Sequence, residues 1–187
     1  MTPEQYLAIE REAEYKSEYY KGEMFAMAGG SFEHNVLSAR IIALLINRLS
    51  GRDCHVCTSD MKVRIDKSGL FTYPDITVVC GKPLVTPDYG DVLLNPKLIV
   101  EVLSRSTEAT DRGFKFHQYQ QIESLEEYVL VTQTAAVIDR FWRAKPGGEW
   151  SGYSTTRGLD STLVLVSLGI EIPLAEIYRG IELDSNG

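Results

Sequence analysis

The 187-residue chain has 44% hydrophobic and 24% charged residues and a formal net charge of -7, from 19 Lys and Arg against 26 Asp and Glu. That length and composition predict one ordinary soluble domain (1-187), and the charge excludes a global positive field as the means of collecting nucleic acid. No apolar run approaches the roughly 18 residues of a membrane helix. Residues 1–17 lack a signal-peptide pattern, and three cysteines are too few for a disulfide scaffold, so neither membrane anchoring nor export is expected. A reducing, cytoplasmic setting fits best.

The acidity is concentrated at the start, where residues 1–33 hold seven acids and three bases. Thr2-Pro3-Glu4-Gln5 reads as a helix start, with Thr2 as cap, Pro3 in the first turn and Gln5 closing a capping box, and the helix is expected to reach about Tyr15. Glu18 to Ala28 reads as a hairpin turning at Lys21-Gly22, before Gly29-Gly30 breaks the chain. From Ser31 to Ser50, Leu37, Ile41, Leu44, Leu45 and Leu49 recur at helical steps, and Gly51 ends the run. His55 to Ile65 and Phe71 to Cys80 are β-rich and flank the turn Asp66-Lys67-Ser68-Gly69 as an antiparallel pair. Gly81 to Asn95 is the longest structureless stretch and a candidate cover for a site. Lys97 to Ser104 is a strand apolar on both faces, as a central strand would be. A helix from about Thr107 to Ile122 follows. Strands Tyr128 to Thr132 and Val137 to Trp142 come next, and a β-rich part closes on a short helix near Leu174 to Tyr178. The order across the core, 31-133, is αβββαβ, with an N-terminal helix and hairpin (1-30) before it and a β-rich part (134-187) after.

Glu101 is the most informative residue, because an ionised carboxylate inside an apolar central strand costs several kcal/mol unless a cation, a metal or a full set of donors meets it. Asp75 is the second. Pro74 is tolerated only at a strand edge, start or bulge, and a bulge there would aim the Asp75 carboxylate sideways. If the two strands are neighbours, the two acids converge on a hard divalent ion of the magnesium type, which takes oxygen ligands. A positive group is still needed to orient water and offset charge on a phosphoryl transition state. Lys115 suits, since Asp111, Lys115 and Tyr119 share one helix face. Lys97 suits less, lying roughly 13 Å along the strand from Glu101.

Pro74-Asp75, Glu101-Val102-Leu103-Ser104, and Asp111 to Lys115 with Tyr119 resemble the PD-(D/E)xK nuclease superfamily and, more narrowly, its Uma-type restriction endonuclease branch. The resemblance covers most of the chain, from Gly22-Glu23 and His34-Asn35 to Ser167-Leu168-Gly169. It implies an α/β restriction-endonuclease-like fold, a central mixed sheet flanked by helices, and a Mg²⁺-dependent (Mn²⁺ as substitute) DNA endonuclease. Asp75 and Glu101 would hold the metal. Leu103 stands where the parent motif has its lysine, and Lys115 on the following helix is its stand-in. Glu18, Glu23, Glu33 and His34 compete to complete the site, His34 being preferred. Ser104, Ser106, Arg105 and Arg112 are candidates for phosphate contact, and Tyr119 for the substrate side. A homodimer is implied, since duplex cleavage needs two sites; no small-molecule cofactor is expected.

Each of these residues also has a plain structural reading. Asp75 alone would be a turn Asp bonding its own backbone, and Glu101 a buried ion pair with Lys115, Lys62 or Arg64. Lys115 would be a solvated helix lysine and Tyr119 a core residue. His34 would solvate a helix end. His55 with Cys54 and Cys57 reads as ordinary strand, and His117 as helix surface. Two other functions fit the sequence: a non-catalytic nucleic-acid-binding or assembly module, motivated by Leu103, and a small phosphate-ester hydrolase, motivated by the charge. A structure with Lys115 turned away from the acids would favour the module.

Overall fold

A computed structural model describes residues 1–87 and 89–184. Helix α1 (Pro3–Glu12) begins as its capping box dictates, with Thr2 and Gln5 bonding each other's backbone N–H reciprocally, but it ends at Glu12, three residues short of expectation. The hairpin follows as β1 (Ser17–Tyr20) and β2 (Glu23–Ala26), with Lys21 at positive φ in its turn. Helix α2 (Phe32–Arg48) is capped by Ser31, and its apolar stripe Leu37, Ile41 and Leu45 is buried.

Each of the two β-rich stretches around the Asp66–Gly69 turn is broken in the middle. The first becomes β3 (Cys54–Thr58) and β4 (Lys62–Ile65), the second β5 (Leu70–Thr72) and β6 (Ile76–Cys80). β4 and β5 pair near the turn, β3 and β6 pair further out, and the two halves belong to different sheets. Pro74 sits at the break in the second stretch, where it removes a donor that neither sheet needs.

The stretch Gly81 to Asn95 is not structureless. It forms β7 (Val92–Leu93), which runs parallel to β4 and docks through ion pairs of Asp91 with Arg11 and Lys62. β8 (Leu98–Leu103) is buried along its whole length. The next helix is continuous but not uniform: α3 (Glu108–Thr110), a π turn (Asp111–Lys115) and α4 (Phe116–Tyr119), ending before the expected Ile122. β9 (Glu127–Thr132), β10 (Val137–Trp142), β11 (Gly152–Arg157), β12 (Thr162–Leu165), β13 (Ile170–Pro173) and α5 (Leu174–Ile177) complete the chain.

The central sheet has the order β11-β10-β9-β8-β6-β3, parallel only between β8 and β9. A second sheet, β2-β1-β5-β4-β7, and the β12-β13 pair lie beside it. α2 packs one face of the central sheet, bringing Leu37, Ile41 and Leu45 against Val78, Val100 and Val102. The other face is covered by Tyr119, Ile122 and Leu125 from the α4 side and by Val63, Ile65 and Leu70 of the second sheet. β8 is thus covered on both faces, which is why its sequence carries no polar face.

The cysteine count does not anticipate the one covalent link. Cys54 and Cys80 face each other across β3 and β6 and form a disulfide, leaving Cys57 as the free thiol. Among the described residues, no helix is long and apolar enough to cross a membrane.

Candidate active site

Because β6 and β8 are antiparallel neighbours with Ile76 opposite Val100, Asp75 enters the sheet beside Glu101. The Asp75 N–H donates to Glu101 Oε2 at 3.2 Å, and the Val102 N–H donates to Asp75 Oδ2 at 2.7 Å. Pro74 has released Asp75 from the strand ladder, and its carboxylate caps the backbone of the strand that carries Glu101. His34, three residues past the cap of α2, places Nε2 3.1 Å from Asp75 Oδ1. That contact, against the opposing effect of burial, raises the imidazole pKa above 6.5.

Glu101 is only 2% exposed. Its Oε1 accepts from the Tyr119 hydroxyl at 2.8 Å and faces the Lys115 ammonium at 3.3 Å. Lys115 also lies 3.5 Å from Glu18 and 3.4 Å from Asp111. Of the four residues competing to complete the site, His34 and Glu18 are brought in, while Glu23 and Glu33 are exposed. Glu18 is held by the Thr72 hydroxyl, so the N-terminal hairpin contributes directly.

Four carboxylates, Glu18, Asp75, Glu101 and Asp111, therefore crowd around one lysine and one histidine. The imbalance marks the acids. Burial pushes the Glu101 carboxyl well above its usual range, with Lys115 opposing and Asp75 and Asp111 reinforcing the shift. Burial raises the Asp111 carboxyl too, against Lys115. Burial alone would lower the Lys115 ammonium, but Glu101, Glu18 and Asp111 outweigh it and hold it well above its ordinary value. Asp111 Oδ1 is buried with an ion pair but no hydrogen bond. An oxygen-only donor set with excess negative charge fits a hard divalent cation, which typically takes one or two carboxylates and keeps waters. Among the described residues, no group of three or more His, Cys, Asp or Glu side chains is placed to hold an ion together, and the two carboxylates that adjoin through the Asp75 N–H are those of Asp75 and Glu101.

Ser104 follows β8 and shares hydrogen bonds with Ser106 at 3.0 Å and Thr107 at 2.9 Å, while Arg105 is exposed beside them. Arg112 is engaged with Asp139 at 2.7 Å and with Glu108 at 2.8 Å. Lys97 pairs with Glu126, Lys62 with Glu10 and Arg64 with Asp66, so none of them is the partner of Glu101. His117 is on the helix surface. Sequence reasoning placed Asp111 on the right face without counting it among the acids. It read Gly30 only as part of a chain break and missed its place at the site: a Cβ there would lie 2.6 Å from His34 Cδ2, so glycine leaves room for the ring.

The solved structure of "a putative nuclease belonging to DUF820" from Anabaena variabilis superimposes with a TM-score of 0.77, covering 95% of this chain and 97% of that one at 14% identity. The fold is therefore restriction-endonuclease-like. Residues 3–175 match the Uma2 family, described as "Putative restriction endonuclease". The chain belongs to that family. Two relatives come from Synechocystis sp. (strain PCC 6803). The uncharacterized protein slr1290 is 37% identical over 97% of this chain and 93% of its own length, and the uncharacterized protein sll1609 is 35% identical over 75% and 80%.

Proposed function

We propose that the protein is a metal-dependent DNA endonuclease that hydrolyses phosphodiester bonds. The observation that carries this reading is the convergence of Asp75, Glu101 and Lys115, delivered by two neighbouring strands and the helix that follows them. Asp75 and Glu101 would hold Mg²⁺, with Mn²⁺ as substitute. When bound, such an ion polarises a phosphate oxygen and makes water a stronger nucleophile. Lys115, kept cationic by the surrounding acids, acts by charge and not as a base: it orients the attacking water and offsets charge building on the phosphoryl group. His34 steadies the Asp75 carboxylate. Ser104 and Arg105, at the end of the Glu101 strand, would contact a flanking phosphate. Tyr119 fixes Glu101 and does not reach outward, and Arg112 is engaged with Asp139. A homodimer across the exposed edge of the C-terminal β region, where β11 ends the central sheet, would address both strands of a duplex, and the cytoplasm supplies DNA and Mg²⁺.

The test is cleavage of supercoiled and linear DNA with Mg²⁺, Mn²⁺ or EDTA. Expected is metal-dependent cutting that Asp75→Ala abolishes and that Lys115→Ala slows by about 10²-fold or more. Saturable hydrolysis of a small phosphate ester with no response to DNA would replace the nuclease by an esterase. Metal and DNA binding without cutting would leave a binding module.

A further inference from the structure

Lys115 meets Glu101 because the helix that carries it changes its winding. In a regular α-helix four residues overshoot a full turn by about 40°, so over Asp111, Lys115 and Tyr119 the third side chain would stand roughly 80° from the first. Between Asp111 and Lys115 the chain instead makes a π turn, whose bonds span five residues. Four residues then fall short of a turn, and the drift reverses before α4 restores it. All three side chains line up on the site: Asp111 Oδ1 is 3.4 Å from Lys115 Nζ, Lys115 Nζ is 3.3 Å from Glu101 Oε1, and the Tyr119 hydroxyl is 2.8 Å from that same oxygen.

π winding is rare, so something must favour it over the α form. Two contacts do so from opposite sides. From within, fully buried Tyr128 of β9 donates its hydroxyl to the Asp111 carbonyl at 3.0 Å, while its ring stacks on Phe116 and meets Tyr119 edge-on. From outside, Arg112 reaches Asp139 of β10, and Asp139 in turn accepts from the Tyr153 and Thr155 hydroxyls of β11. Arg112 and Tyr128 thus grip the turn at its first two residues.

We propose that Tyr128 and the Arg112–Asp139 pair are positioning residues that hold the π turn and thereby set Lys115 on Glu101. The inference rests on the catalytic reading of Lys115. Neither group touches the reacting atoms.

The experiment measures acylation of each lysine in the full chain by mass spectrometry, with buried Lys62 as internal reference, beside the kinetics of DNA cleavage. Tyr128→Phe removes only the hydroxyl; Arg112→Gln removes the outer grip, and Arg112→Lys keeps a charge for Asp139. In Tyr128→Phe and Arg112→Gln, Lys115 should acylate severalfold faster relative to Lys62, and kcat should fall about tenfold with KM unchanged, as misplacement of a catalytic group predicts. Arg112→Lys should recover part of both. Wild-type labelling of Lys115 in both variants would overturn the proposal. If the wild type cuts no DNA, the nuclease reading fails by itself and the labelling still decides whether these contacts place Lys115. Should Tyr128→Phe not fold, Arg112→Gln, at a partly exposed site, decides alone.

Discussion

Glu101 carries an electrostatic cost in this fold. Its carboxyl is buried in a strand with no polar face, and burial together with Asp75 and Asp111 raises its pKa well above 4.5 despite Lys115. A carboxylate whose folded pKa exceeds its unfolded one destabilises the fold increasingly as pH rises through the folded value, and that cost disappears as pH falls toward 4.5. Glu101→Gln removes the charge while Lys115 keeps Glu18 and Asp111 as partners. In EDTA at pH 8 the variant should therefore unfold higher than wild type, by about 1 kcal/mol or roughly 2–4 °C, although it should no longer cut DNA. The gap should narrow as pH is lowered. Thermal unfolding from pH 5 to 8 checks this, and a variant less stable than wild type at pH 8 would mean that Glu101 is a net stabiliser.

At the scale of elements, the Gly29-Gly30 break matters through the helix it introduces. Gly30 lies under the His34 ring, whereas a Cβ on Gly29 would meet nothing within 4 Å. Gly30→Ala should push the imidazole off Asp75 and reduce DNA cleavage as much as His34→Ala does, with a stability loss of about 1–3 kcal/mol. Gly29→Ala should leave cleavage unchanged. Parallel assays on the three variants separate the two glycines. Elements set by local chemistry were legible in the sequence: the capping box at Thr2, the stripe of α2, the bounds of Val137–Trp142 and Leu98–Leu103, apolar on both faces except for Glu101. What depends on distant partners was not. Nothing local tells that the β-rich stretches divide between two sheets at residues 59–61 and 73–75, or that Val92-Leu93 pairs with Lys62-Val63. The four-residue spacing of Asp111, Lys115 and Tyr119 revealed their common face but not the π turn, and Arg112 looked free because its partner Asp139 lies on a strand distant in sequence. The Cys54–Cys80 bridge depends on the register of β3 and β6, which composition does not encode.

Across the whole molecule, that bridge closes the segment containing β4, β5 and Asp75, its ends separated by 26 positions in sequence. A loop of this length stabilises by about 3–4 kcal/mol in the chain-entropy account. Denaturant unfolding should lose about that much stability on reduction in wild type and in Cys57→Ser, while Cys80→Ser should not respond to reductant. Equal curves with and without reductant would show the bridge to be energetically silent. The net charge of -7 carries its own consequence. With acids in excess around Lys115 as well, the proposed reading has nucleic acid met through a local cation that Asp75 and Glu101 would hold. Calorimetric titration of Mn²⁺ into the wild type and Asp75→Ala tests that claim most directly. The account predicts saturable binding in the wild type that Asp75→Ala abolishes. Equal Mn²⁺ binding in both proteins, or none in the wild type, would contradict it.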